Sequence, residues 1–293
     1  MSATTKQEET VAAAIREIGH IATLPEVTSR IIELVENPNS TAQELHDVIS
    51  GDPALCSRIL KVVNSSFYGL PGQVASVNRA IVLLGLNAVK NIAIAASLAK
   101  LYRGGDLTPR FSAREIWSHS AATAAAAKLV NDTLKLGLGD EAFLAGLIHD
   151  IGVMVEMQYD RAKLIDVVES LGIDADGAPA NDMREIEQQI FGADHCQFGA
   201  ALCERWRFPS SFVNVTAFHH DPMAAPADAR SLPCVIYLAD RLAGSLPDAY
   251  RHDIVDLVPD QAVLDAIGLS LDKFNQIAEQ LTETVAEAAS LLD

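Results

Sequence analysis

Aromatic residues make up only 5% of this 293-residue chain. Strand-like alternation of apolar and polar positions is also hard to find. A sandwich or barrel needs many short alternating strands, so that class is excluded. Basic residues are scarce: 22 Lys and Arg stand against 39 Asp and Glu, a net charge of −17. Non-specific nucleic-acid binding depends on phosphate neutralisation by basic side chains, so no direct nucleic-acid partner is expected. A small anionic ligand in a locally positive, metal-containing cleft stays compatible with that charge. No apolar run approaches the roughly 18 residues of a membrane span. Residues 1–10 are polar and show no signal-peptide pattern. The four cysteines (Cys56, Cys196, Cys203 and Cys234) lack paired spacing and read as small buried thiols. A reduced, cytoplasmic setting is expected. The chain has no glycine-rich phosphate loop, and no cysteine has a spaced catalytic partner.

What the chain does have is helix-forming material. Hydrophobic residues reach 49%, enough for a packed core, and alanine and leucine are abundant. The fold class expected from this periodicity is all-α. Pro25 and Asp52-Pro53 suit the first turns of helices. Thr41 with Glu44 three residues on resembles a capping box. Asp52, Asn64 and Ser65 are read as holders of helix ends and a turn. The stretch Arg103 to Pro109 is the expected boundary between an N-terminal helical subdomain, 1–107, and a helical subdomain with C-terminal helices, 108–293. Strong helices are expected over 111–130, 141–151, 161–171 and 232–242, with two amphipathic ones after Pro259.

The chain is organised around Phe143-Leu144-Ala145-Gly146-Leu147-Ile148-His149-Asp150-Ile151-Gly152, an apolar run leading into adjacent His and Asp. Such a pair in a buried setting is costly unless something positive sits between the two groups, although hydrogen-bonded His-Asp pairs also serve as structural contacts. Five of the eight histidines lie between 119 and 220: His119, His149, His195, His219 and His220. Asp240 follows in another helical segment, and Glu115 lies four residues before His119, on the same helical face. Imidazole with carboxylate suits zinc, iron, manganese or nickel.

The order His119, His149-Asp150, His195, His219-His220, Asp240 resembles the HD superfamily of metal-dependent phosphohydrolases. Leu24-Pro25, Asp52-Pro53-Ala54-Leu55, Asn64-Ser65-Ser66-Phe67-Tyr68-Gly69, Ala80-Ile81 and Leu84-Gly85 narrow the resemblance to the HDOD family (HD-related output domain). Gly146 to Gly152, Phe191-Gly192 to His195, and Trp206 before Pro209 fit it too. The resemblance runs over roughly residues 20 to 242 and implies an all-helical module of bacterial signalling with signalling proteins as partners.

The histidine pattern is also similar to that of the HD-GYP phosphodiesterases, which cleave cyclic di-GMP at an iron or manganese centre. That resemblance implies Glu115, His119, His149, Asp150, His195, His219, His220 and Asp240 as metal ligands, with Asp150 bridging. The implied cofactor is iron or manganese, as one or two ions. The sequence departs from the pattern twice: Val153 stands where those enzymes have a phosphate-binding Lys, and Asp221 to Pro226 replaces the Gly-Tyr-Pro loop.

Two functions are therefore expected to compete. One is a signalling output module that still binds metal. The other is a metal-dependent phosphohydrolase acting on a small phosphoester or nucleotide, with His149 and Asp150 as its catalytic residues. Lys163, Arg205 and Arg241 are the basic residues nearest in sequence for a phosphate contact, though each also suits a solvated surface.

Overall fold

The computed structural model describes residues 3–18, 24–65, 68–102, 106–108, 111–175, 177–247 and 249–288. Ser66, Phe67, most of the expected boundary loop (103–105 and 109) and residue 110 lie outside the described residues.

The chain is all-α, as expected. Helix α1 (Ala3–Glu17) is followed by α2 (Glu26–Glu36), α3 (Ala42–Ser50), α4 (Pro53–Val63), α5 (Val77–Leu84) and α6 (Leu86–Leu98). A two-stranded antiparallel ribbon, β1 (Asp106–Thr108) and β2 (Phe111–Ser112), leads into the long α7 (Ala113–Leu134). Then come α8 (Gly139–Ile148), α9 (Ile151–Tyr159), α10 (Arg161–Ser170), α11 (Met183–Ile190), α12 (His195–Arg205) and α13 (Ser210–Phe218). The last helices are α14 (Ser231–Gly244), α15 (Gln261–Ile267) and α16 (Leu271–Ala288). Sequence periodicity missed α9, because Ile151 to Met157 is buried all round and has no polar face to give a period.

Local signals set the helix ends. Thr41 and Glu44 form the expected capping box, with Glu44 N–H donating to Thr41 Oγ1 at 3.2 Å and Thr41 N–H to Glu44 Oε2 at 2.8 Å. Asp52 caps α4 through Leu55 N–H at 2.9 Å, with Pro53 in the first turn. Asn64 clamps the turn after α4 by bonding both the carbonyl (2.8 Å) and the N–H (2.5 Å) of Val74.

Small residues bring the central helices close. Ala121, Ala122 and Ala124 to Ala127 are all buried on α7, which packs against both α8 and α14. A Cβ at Gly146 would stand 2.6 Å from Ala124 Cα, so α8 approaches α7 at glycine contact. Gly152 does the same for α9 against α12, since its Cβ would lie 1.8 Å from the carbonyl oxygen of His195. Helix α6 packs on α8 and joins the N-terminal helices to the rest, while α1 reaches across to α9 and α12. Among the described residues, no helix is long and apolar enough to cross a membrane.

Candidate metal centre

Apart from Glu115, the expected ligands sit at helix ends or on helix faces that the close packing turns inward. His119 comes from α7 and Asp240 from α14. His149 and Asp150 form the two-residue break between α8 and α9. His195 opens α12, where Asp194 and Gln197 form a capping box. His219 and His220 follow α13. His119, His149, Asp150, His195, His219 and Asp240 are buried, and the last five are completely so.

The imidazoles are oriented from behind. His149 Nδ1–H donates to Gly146 O at 2.8 Å. His219 Nδ1–H donates to Val215 O and Thr216 O, both at 3.2 Å. His195 Nδ1–H donates to the Glu187 carboxylate at 2.8 and 3.0 Å. In all three the Nε2 lone pair then faces the interior of the cluster, the outer-shell pattern by which proteins fix metal-binding imidazoles.

What faces those lone pairs is more acceptors. His149 Nε2 lies 3.2 Å from Asp150 Oδ2 and 3.4 Å from Asp240 Oδ1. His219 Nε2 lies 3.3 Å from Asp150 Oδ1, and His119 Nε2 lies 2.8 Å from Asp240 Oδ1. His149 Nε2, His219 Nε2, both Asp150 oxygens and Asp240 Oδ2 have no hydrogen-bond partner. Lone pairs pointing at buried carboxylates are unfavourable unless a cation or extra protons lie between them. Two ligands held by one ion at about 2.1 Å stand roughly 3.0–3.4 Å apart, at right-angled to tetrahedral geometry. The observed spacings match such edges, so the residues fit a divalent transition metal.

The cluster has two overlapping halves. His119, His149 and Asp240 bring ligand atoms within 4.8 Å of one another, and so do Asp150, His195, His219, His220 and Asp253. Asp150 also reaches the first half through Oδ2, which makes it the shared carboxylate. Of the expected set, Glu115 alone stays outside. It is exposed, and its carboxylate accepts from the Ser112 hydroxyl at 2.9 Å while its own N–H donates to Ser112 Oγ at 3.2 Å. Helix capping holds it one turn away from His119.

The basic residues proposed from sequence for a phosphate contact are engaged elsewhere. Lys163 lies over the Phe191 ring, Arg241 stacks on Tyr237, and Arg205 lines a groove between α1 and α12. Sequence reasoning missed three acids, Asp253, Glu187 and Glu156. Glu187 and Glu156 sit on unremarkable helical stretches and carry no local signal. Asp253 does, because His252-Asp253 repeats the His-Asp dipeptide. Glu156 is buried without a partner, and burial and Glu187 push its carboxyl well above the usual range.

Burial lowers His149 and His195, but the charges of Asp150 and of Glu187, respectively, more than reverse this and hold both well above their ordinary value. Burial, Asp150 and Asp240 push the Asp253 carboxyl up to about 7. Groups raised on folding contribute stability that is present below their unfolded values, about 6.5 for His and about 3.9 for Asp, and is lost as pH rises through the folded values. Asp150 is held low despite burial, chiefly by His149, and Asp240 likewise by His119 and His149; their contribution fades only below about pH 4. Metal-free protein should therefore weaken from pH 6 upward, whereas bound metal replaces the protons being lost. The rise in melting temperature on adding manganese should grow steadily from pH 6 to pH 8.5. A scan in chelator and in metal showing a constant or shrinking gap would contradict this assignment.

The family model described as the HDOD domain matches residues 21–222. A crystal structure of an HDOD domain protein from Geobacter sulfurreducens is 21% identical, with a TM-score of 0.77, covering 99% of this chain and 98% of that one. A protein from Shewanella amazonensis named as a candidate phosphohydrolase is 22% identical, with a TM-score of 0.73 over 96% of this chain and 98% of its own. A candidate signal transduction protein from Marinobacter aquaeolei is 24% identical, with a TM-score of 0.75, over 98% of this chain and 66% of that one. At these identities the likeness shows the fold. An uncharacterized protein of Treponema pallidum is 25% identical over 239 residues, which is 80% of this chain but only 45% of that longer relative.

Proposed function

The chain belongs to the HDOD domain family, and from that premise we propose that it is a signal-transduction output module built around an HD-type metal centre. Its division into an N-terminal subdomain, 1–107, and a metal-binding subdomain, 108–293, is part of this proposal. The ligands we assign are His119, His149, Asp150, His195, His219, His220 and Asp240, with iron or manganese as the ion. One observation carries the reading: buried imidazole lone pairs, fixed from behind, converge on carboxylates at the spacing of a coordination shell. Metal analysis of protein purified without chelator tests it, and protein that takes up neither iron nor manganese would overturn it.

The signalling role draws support from the Marinobacter neighbour, named for signal transduction. Signalling proteins are the partners this implies. Val153 gives further support. It is completely buried directly after the signature, an apolar side chain where phosphate binding would need a cation.

A second reading, hydrolysis of a small phosphoester or nucleotide, has one observation in its favour. A cavity of about 560 Å³ lies beside the centre, lined by Glu115, Tyr250, Arg251 and His252 among others. The Tyr250 ring stands between it and the metal ligands, 5.4 Å from the ring of His119. If metal is bound there, it would acidify a water and draw charge from a phosphoryl group.

Against that reading, we expect cyclic di-GMP hydrolysis to be weak or absent in metal-loaded protein. The substrate carries two phosphates and this chain −17. Loss of one charged phosphate contact costs on the order of a hundredfold or more in rate. Incubation with cyclic di-GMP decides the matter. Turnover near 1 per second, about the order typical of enzymes, abolished by Asp150→Ala, would replace the output-module reading with the enzyme.

A further inference from the structure

We infer that Asp253, carried by the segment after α14, is a metal ligand of the second half of the centre. This rests on the metal-centre reading above and adds a residue and a site to it. His220 Nε2 lies 3.0 Å from His195 Nε2 and 3.4 Å from Asp253 Oδ2, two further edges of the same size as those around Asp150. Without Asp253, the half built on His195, His219 and His220 would hold a dication with the shared Asp150 as its one carboxylate. With Asp253, each half has a carboxylate of its own and shares a third.

The Asp253 side chain is 1% exposed, and neither of its oxygens has a hydrogen-bond partner. A buried carboxylate in that state, in the company of Asp150 and Asp240, is strongly unfavourable without a cation to hold it. Packing also fixes its position. The Tyr250 ring packs tilted against Phe111 of β2 at 5.9 Å, and the His252 ring stacks on Phe111 at 5.8 Å. Gly244 leaves just enough room for Ile254 and Leu257, whose methyl carbons would stand 3.0 and 3.2 Å from a Cβ there. Asp260 N–H donates to Tyr237 Oη at 3.2 Å. The segment is therefore pinned on both sides of Asp253, and the carboxylate reaches the cluster from a braced position.

Cys196, also within ligand distance of His195, His219 and His220, is the competing donor. Asp253 shares its ligand group with Asp150 as well as with these three histidines, whereas the group that holds Cys196 does not include Asp150. A carboxylate here fills a position that catalytic metal sites leave to water or substrate, in keeping with the weak hydrolysis expected above.

The test compares manganese uptake by the full chain and by Asp253→Asn. Wild-type protein should bind two ions, with the resonance spectrum of a coupled pair. Asp253→Asn should keep one ion, show the spectrum of isolated manganese, and bind the second at least roughly 10–100-fold more weakly, the scale set by losing even an outer-shell partner. Asp253→Glu should restore the second ion. The metal-free melting temperature of Asp253→Asn should equal or exceed that of wild type, because like-charge repulsion is relieved. Equal stoichiometry and affinity in wild type and Asp253→Asn would overturn the assignment and leave the metal centre standing. A lower metal-free melting temperature with unchanged uptake would overturn it too, by making Asp253 a structural residue. Failure of wild type itself to bind manganese or iron would overturn the centre, and this inference with it.

Discussion

Replacing Asp150 with alanine is expected to abolish metal uptake at both halves of the proposed centre. Asp150 has an oxygen on each side: Oδ2 lies 3.2 Å from His149 Nε2, and Oδ1 lies 3.3 Å from His219 Nε2 and 3.9 Å from His195 Nε2. Removing Asp240 or Asp253 leaves the other half with its own carboxylate, whereas removing Asp150 takes one from each. The loss in affinity should exceed by a wide margin the roughly 10–100-fold typical of an outer-shell partner. Metal-free stability should fall as well. His149 is held above its ordinary value by Asp150, so the alanine variant leaves a buried imidazolium short of its main counter-charge. Breaking a buried pair in this way costs about 3–5 kcal/mol. Metal analysis with a denaturant titration in chelator reads both effects. An Asp150→Ala protein that holds metal within threefold of the wild-type affinity would refute the shared-carboxylate geometry.

How much of this was legible beforehand depended on the kind of signal each residue left. His149 and Asp150 could be read because a helix with an apolar surface ended in two polar groups that burial would punish. His195, His219 and Asp240 followed from their order in the resemblance, and the packing of α12, α13 and α14 brings them to the pair. Glu115 was misplaced because a four-residue spacing says two side chains share a helical face, not how far along the helix the burial extends. Ser112 three residues before it was the overlooked cue, since a Ser and a Glu at that spacing cap a helix start. Helix α9 left no periodic trace because its apolar residues are buried on every side. Glu187 and Glu156 were out of reach, since their role arises only when α11 and α9 are set behind His195. Asp253 was overlooked for another reason: the segment after α14 reads as a loop, and loops are where scaffolds carry functional side chains.

Gly152→Ala should cost more stability than a methyl group added at any other described glycine. The new Cβ would stand 1.8 Å from His195 O, 2.6 Å from His195 C and 2.8 Å from Gly199 N, all backbone atoms of the first turns of α12. A flexible side chain could swing aside, but this backbone cannot yield without moving the helix. Moving α12 would pull His195 from its bonds to Glu187, 3.0 Å through the backbone N–H and 2.8 Å through Nδ1, and would open the second half of the centre. In a close-packed interior, overpacking by a methylene costs about 1–3 kcal/mol where side chains can adjust. Here the obstacle is backbone, so a loss above about 4 kcal/mol is expected, a large share of the usual 5–15 kcal/mol of total stability. Gly199→Ala provides the graded control, because its nearest contacts are Gly152 N at 3.2 Å and Thr216 Cβ at 3.4 Å. That variant should fold with a modest loss. Melting curves of the two proteins in chelator would settle the order, and a Gly152→Ala protein as stable as Gly199→Ala would show that α9 and α12 are not in glycine contact.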